Sequence, residues 1–192
     1  MTLRNFAVAL LAAAPALSLA SSGPIPGWWL TGSNAEDYSV ALDRSQAHTG
    51  VTSAALTSMS ATPRGFGGLM QTASAQRYKG KRIKFTAHLK TAGVRKWSGL
   101  WLRVDGQNGP PGLAFDNMQD RPVVGDTEWQ EYSVVLDVSE EATNIAYGVL
   151  LEGPGKVWFD SAGIEVVAKS VPTTGKPQPK PPREPTNLDF EQ

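Results

Sequence analysis

Apolar and polar residues alternate with a period of two along much of the chain. Ile83, Phe85, Ala87 and Leu89 take turns with Arg82, Lys84, Thr86, His88 and Lys90. Leu100, Leu102 and Val104 alternate with Trp101, Arg103 and Asp105, and Tyr132, Val134, Leu136 and Val138 with Ser133, Val135 and Asp137. A strand sends successive side chains to opposite faces, so each run predicts a strand with one face on a core and the other in solvent. Two more runs, Ile145 to Leu151 and Lys156 to Val167, are β-branched or aromatic and flank the turn sequence Glu152-Gly-Pro-Gly155. No segment beyond residue 20 sustains the 3.6-residue period of an amphipathic helix. The chain therefore reads as all-β, an antiparallel β-sandwich.

The two ends break this pattern. Arg4, the apolar run Phe6 to Ala14 and the small residues of Ser18-Leu19-Ala20 give residues 1–20 the form of a signal peptide. The expected location is the periplasm or the outside of the cell. The apolar run falls short of the roughly 20 residues that cross a bilayer, and no later run qualifies. Residues 21–168 have the mixed composition of one globular domain. Residues 169–186 hold six prolines and almost nothing apolar, as in an extended linker. Residues 187–192, Asn-Leu-Asp-Phe-Glu-Gln, alternate again like a short strand.

Charge and composition narrow the function. The 192 residues hold 18 Lys+Arg against 18 Asp+Glu. A neutral chain lacks the basic face that nucleic acid requires. With no cysteine there is neither a disulfide nor a thiolate, and with two histidines the usual zinc ligand set is missing. There is no G-x-S-x-G elbow and no H-E-x-x-H. Gly65-Phe-Gly67-Gly68 lacks the third glycine and the βαβ setting of a dinucleotide fingerprint. His48 and His88 are the only imidazoles that could serve a hydrolase as a base. The chain is read as non-enzymatic.

Binding residues are sought on the polar strand faces. If Leu100, Leu102 and Val104 point to the core, Trp101, Arg103 and Asp105 share the outer face, and His88 lies outward on its own strand. An aromatic platform beside Arg, His and Asp suits a glycan, whose CH faces stack while its hydroxyls bond. The alternative is that Trp101 lies under a loop and Arg103–Asp105 is a solvated pair. Asp116, Asn117 and Arg121 form the densest polar cluster, either as the rim of the same groove or as a self-bonded loop. Trp97 falls in a loop-like stretch and is a further residue that could flank a ligand, and of the adjacent Trp28 and Trp29 only one can face inward.

Several blocks together resemble galactose-binding-like jelly-roll modules, the fold of many carbohydrate-binding modules. They are Gly27-Trp28, His48-Thr-Gly50 with Thr52-Ser-Ala54, Tyr78 to Ala87, Trp129-Gln-Glu-Tyr132, and Gly155-Lys-Val-Trp-Phe-Asp160 with Ile164-Glu-Val166. Trp101 to Gly106 and Phe115 to Pro122 are similar to a narrower set of uncharacterised bacterial proteins, some labelled AraC-type transcriptional regulators. That label does not suit a neutral chain with an export signal and no helix-turn-helix segment. The resemblance implies a non-catalytic binding fold that carries its ligand, often a sugar, on a concave sheet, and it adds Gln71 to the candidate ligand residues. It also implies a structural calcium near the closing strand, with Asp160 as a ligand and Asp43 as a second candidate. Modules of this kind usually open with a strand reading Asn-x-x-Phe-Glu, which is missing before Gly27 but present at residues 187–191. Hence the tail is expected to dock as that strand, within its own chain or by self-association. The leading function is an exported module for a glycan or small polar ligand. The alternative is a structural or protein-interaction module that uses the Pro-rich tail and its Leu-Asp-Phe segment.

Overall fold

The computed structural model describes residues 25–107, 109–175 and 188. Nine strands follow in chain order: β1 (Trp29–Gly32), β2 (Tyr38–Asp43), β3 (Ser53–Ser58), β4 (Phe66–Ser74), β5 (Arg82–Gly106), β6 (Gly109–Asp116), β7 (Val123–Asp137), β8 (Asn144–Glu152) and β9 (Lys156–Val167). Every ladder is antiparallel. Among the described residues the only helical turn is the 3-10 segment Ala35–Asp37. No helix there is long and apolar enough to cross a membrane.

The two expected strands at 83–89 and 100–104 are halves of one. β5 runs for 25 residues and belongs to both layers of the sandwich. Its first half, Arg82 to Ala92, lies between β7 and β9. Its second half, Trp97 to Gly106, lies between β8 and β6. The register slips between Leu89, Thr91, Val94 and Ser98, where irregular pairing turns the strand from one layer into the other. Layer I thus reads β2-β3-β9-β5-β7, and layer II reads β1-β4-β8-β5-β6.

The alternation read from sequence places the core. Ile83, Phe85, Ala87 and Leu89 from layer I are fully buried, as are Leu100, Leu102 and Val104 from layer II. They belong to one apolar cluster with Val134, Leu136, Ile145, Val149 and Leu151. Each large side chain there gains about 1.5–3 kcal/mol from leaving water. Trp28 faces inward, with its ring 5.8 Å from Tyr147 and 5.3 Å from Phe159. Trp29 points out of layer II and is 37% exposed.

Residues 169–175, at the head of the Pro-rich segment, pack on the sandwich. Thr174 bonds both the N–H and the C=O of Val135 on β7 and donates its hydroxyl to Asp116. The Arg82 guanidinium donates to the carbonyls of Lys169 and Val171. The expected signal peptide, and the terminal segment apart from Leu188, lie outside the described residues.

Candidate functional site

The ladder registers align four residues across the outer face of layer II. Trp29 pairs with Met70, Met70 with Gly148, and Gly148 with Trp101. Paired residues share a face, so these four form a row over β1, β4, β8 and β5. Gly148 is required by its surroundings: a Cβ there would stand 1.9 Å from the Leu69 carbonyl oxygen. Its missing side chain leaves a depression between Met70 and Trp101. Trp101 packs on Ala146 and Leu150, flanked by Met70, Trp97 and Phe115, in a second apolar cluster outside the main core. Above it lies a groove of about 360 Å³.

Polar groups stand at the groove's margins. Arg103 is bound through Nε and Nη2 to the two oxygens of Asp105, at 2.7 and 3.1 Å. Glu152 accepts the Trp97 indole N–H at 3.0 Å and the Lys96 ammonium at 3.0 Å, which fixes the ring that walls the groove. Asn117, Gln119, Thr31 and the aromatic ring of Phe66 complete the lining. The surface therefore combines an aromatic floor with donors and acceptors held in place by neighbours.

Trp101 is 7% exposed, so it forms the floor and not a projecting platform. Trp101, Arg103 and Asn117 come together in the groove, and Asp105 reaches it through Arg103. His88 does not. It sits in layer I, and because β5 changes layers, its outward face is turned away from that of Trp101. His88 stacks instead on His48.

Asp116 and Arg121 bind each other at 2.6 Å, with the carboxylate side chain 6% exposed. Burial pushes the Asp116 carboxyl up, but bonds from Arg121, Thr174 and the Met118 N–H outweigh it and leave it below the usual range. With Met118 at φ 62° and Asx-type bonds at Met118 and Gln119, this is a self-bonded loop that anchors residue 174.

Gln71 faces away from Met70 into the edge between the layers, where it accepts from the Tyr147 hydroxyl and donates to the Gly27 carbonyl. The two candidate calcium ligands are each engaged by donors. Asp160 accepts the N–H groups of His48 and Thr49. Asp43 accepts from Ser45, Trp158 and Lys156, and these bonds, the Ser45 hydroxyl first, hold its carboxyl well below the usual range. Among the described residues no three His, Asp or Glu side chains form a metal-sized group.

Trp97, expected in a loop beside a ligand, lines the groove from within β5, whereas Met70, Phe115, Leu150 and Glu152 in the lining, and Trp29 at the end of the row, were not among the candidates. The signal for Trp29 was the Trp28-Trp29 pair itself. The others join the groove only through cross-strand register, which no local pattern shows.

No family model matches the chain. It is 42% identical over 168 residues to YbfP of Bacillus subtilis, an uncharacterized HTH-type transcriptional regulator, covering 86% of this chain and 57% of that protein. The chain thus spans little more than half the length of this relative. A xylan-binding CBM22 domain of Paenibacillus barcinonensis Xyn10C superposes with a TM-score of 0.54 at 17% identity, covering 76% of this chain and 88% of that one. The TmCBM61 module, solved with β-1,4-galactotriose, gives 0.50 at 15% identity, covering 76% and 92%. The chain has the jelly-roll β-sandwich fold of carbohydrate-binding modules.

Proposed function

We propose that the protein is an exported, non-catalytic module that binds a glycan in the groove on the outer face of layer II. The observation that carries this is the row Trp29–Met70–Gly148–Trp101, an apolar strip over four strands bordered by Arg103, Asn117 and Glu152. A pyranose presents a CH face to such a strip and hydroxyls to its margins. Nη1 of Arg103, which Asp105 does not engage, is placed to donate to a sugar oxygen. The xylan- and galactan-type ligands of proteins with this fold support polysaccharides as the first substrates to try. Export rests on the leader-like residues 1–20, and the absence of turnover on the lack of a nucleophile or base motif in the chain.

A glycan array with the purified protein, followed by affinity electrophoresis on xylan and β-1,4-galactan, tests the reading. Retention that Trp29→Ala and Trp101→Phe both weaken is expected. Binding that neither variant alters, or glycosidic turnover by the pure protein, overturns it.

A further inference from the structure

β9 is half unpaired. On one side it pairs with β5 as far as Val167, but on the other β3 accompanies it only from Lys156 to Phe159. At Ser161, φ 53°, the register against β5 slips between His88↔Asp160 and Thr86↔Gly163, with one residue more on β9. That is a β-bulge, and beyond it no described residue pairs with the outer edge of β9. Ile164 lies opposite Phe85 and Val166 opposite Ile83, so both face the core side. Yet Val166 is 50% exposed whereas Ile83 is fully buried. An inward valine left in water marks the place where a strand is missing. Two clefts of about 410 and 220 Å³ line this edge, walled by Trp28, Gln71, Tyr78, Tyr147 and Phe159. An open edge with apolar side chains beneath it is a template for strand addition.

We propose that this slot receives residues 187–191 of a second copy of the chain, as an added strand. Leu188 and Phe190 of Asn187-Leu-Asp-Phe-Glu191 fall on one face of a strand, where they meet Ile164 and Val166, and Asp189 and Glu191 stay in solvent. Leu188 is 76% exposed, so this side chain is not seated in its own chain's slot. The tail departs at Gly175, against Phe115 and Leu136, on the β6–β7 side of the sandwich. The slot lies beyond β9, on the opposite side of β5. Donor and acceptor therefore sit at opposite edges, a head-to-tail relation that builds open rows of molecules or rings. Residues 176–186, extended at about 3.1 Å each, span on the order of 34 Å, enough to reach an adjacent sandwich.

Two single-defect variants test this. Leu188→Asp with Phe190→Asp removes the donor, and Val166→Asp blocks the acceptor; Leu188 and Val166 are both exposed. Sedimentation velocity should show concentration-dependent assembly for the unmodified chain, a monomer for each variant alone, and a discrete dimer when the two are mixed. In parallel, a peptide of residues 187–192 added to the donor-defective chain should slow hydrogen exchange at the amides of Ala162 to Val167. A monomer at every concentration overturns the proposal, with docking within one chain as the outcome if deleting 187–192 also lowers Tm. Assembly that both variants retain, or a mixture that stays monomeric with exchange unchanged by the peptide, overturns it as well. None of these readouts depends on glycan binding, which takes place on the other layer.

Discussion

The imidazole of His48 lies flat on that of His88, with ring centroids 3.5 Å apart and planes 14° from parallel. Trp129 stands 5.8 Å from His48, and the hydroxyl of Ser161 is 3.2 Å from its Nδ1. The stack pins the loop between β2 and β3 to the outer face of layer I, where Asp160 accepts two of its backbone N–H groups.

His48→Ala is expected to release that loop at a cost of about 0.5–1.5 kcal/mol, the usual worth of an aromatic pair. Hydrogen exchange at the amides of His48 and Thr49 should accelerate, while polysaccharide affinity holds within about twofold because the site is remote. A loss of affinity as large as that of a groove variant would move the ligand to layer I.

The groove tryptophans should separate binding from folding. Trp29 is 37% exposed, so Trp29→Ala should weaken glycan binding by about 0.5–1.5 kcal/mol with little change in Tm. Trp101, packed on Ala146 and Leu150, should lose about 3–5 kcal/mol of stability as alanine. Calorimetric titration beside thermal melts distinguishes the two. Equal loss of stability at both positions would mean that Trp29 is packing and not platform.

The Asp116–Arg121 pair should behave as a buried structural clamp. Arg121→Ala leaves a carboxylate at 6% exposure without its guanidinium, and is expected to cost about 3–5 kcal/mol. Asp116→Asn should also release Thr174, whose hydroxyl bonds that carboxylate. Urea melts report the first effect, and proteolysis between residues 169 and 175 the second. A glycan-binding defect without loss of stability would instead place Arg121 at the groove.

Acid should unfold the protein through carboxylates held low in the folded state. Bonds from Arg82, and then from Lys169, hold Asp137 at about 2, against 3.8 in its unperturbed form. A folded value below the unfolded one means stability that is present above about pH 4 and is lost as the pH falls toward 2. Asp137→Asn is expected to flatten this part of the pH–stability curve. The effect should shrink in high salt, because the side chain is 47% exposed. An unchanged acid limb would refute the assignment.

How much of this was legible in the sequence differs from one element to another. The alternation at Ile83–Leu89 and Leu100–Val104 gave the core-facing residues of both runs correctly but missed Trp101, expected in solvent, which is 7% exposed and buried in a second apolar cluster on the outer face. It did not show that the runs are one strand changing layers, so His88 and Trp101 read as one site although they face opposite ways. Periodicity is local, whereas the turn of β5 depends on which partners flank each half. Asp116 and Arg121 were read both as groove rim and as a self-bonded loop; burial against Thr174, in a segment whose prolines suggested no packing at all, favours the loop. Gly148 carried no sequence signal beyond being a glycine, and only the approach of Leu69 explains it.

The long strand also sets an order of events during synthesis. β5 pairs with β6, β7, β8 and β9, all of which follow it in the chain. Before Lys156 to Val167 have left the ribosome, the first half of β5 lacks its β9 neighbour, and among the strands that precede β5 only the hairpin β2–β3 and the longer-range pair β1–β4 form. Layer II, whose strands β1, β4, β8, β5 and β6 all precede β9, can be complete in such a nascent chain, whereas layer I stays open between β3 and β5. The sandwich is therefore locked last at β9, which joins the early β2–β3 pair to the first half of β5 and so ties the start of the domain to its end.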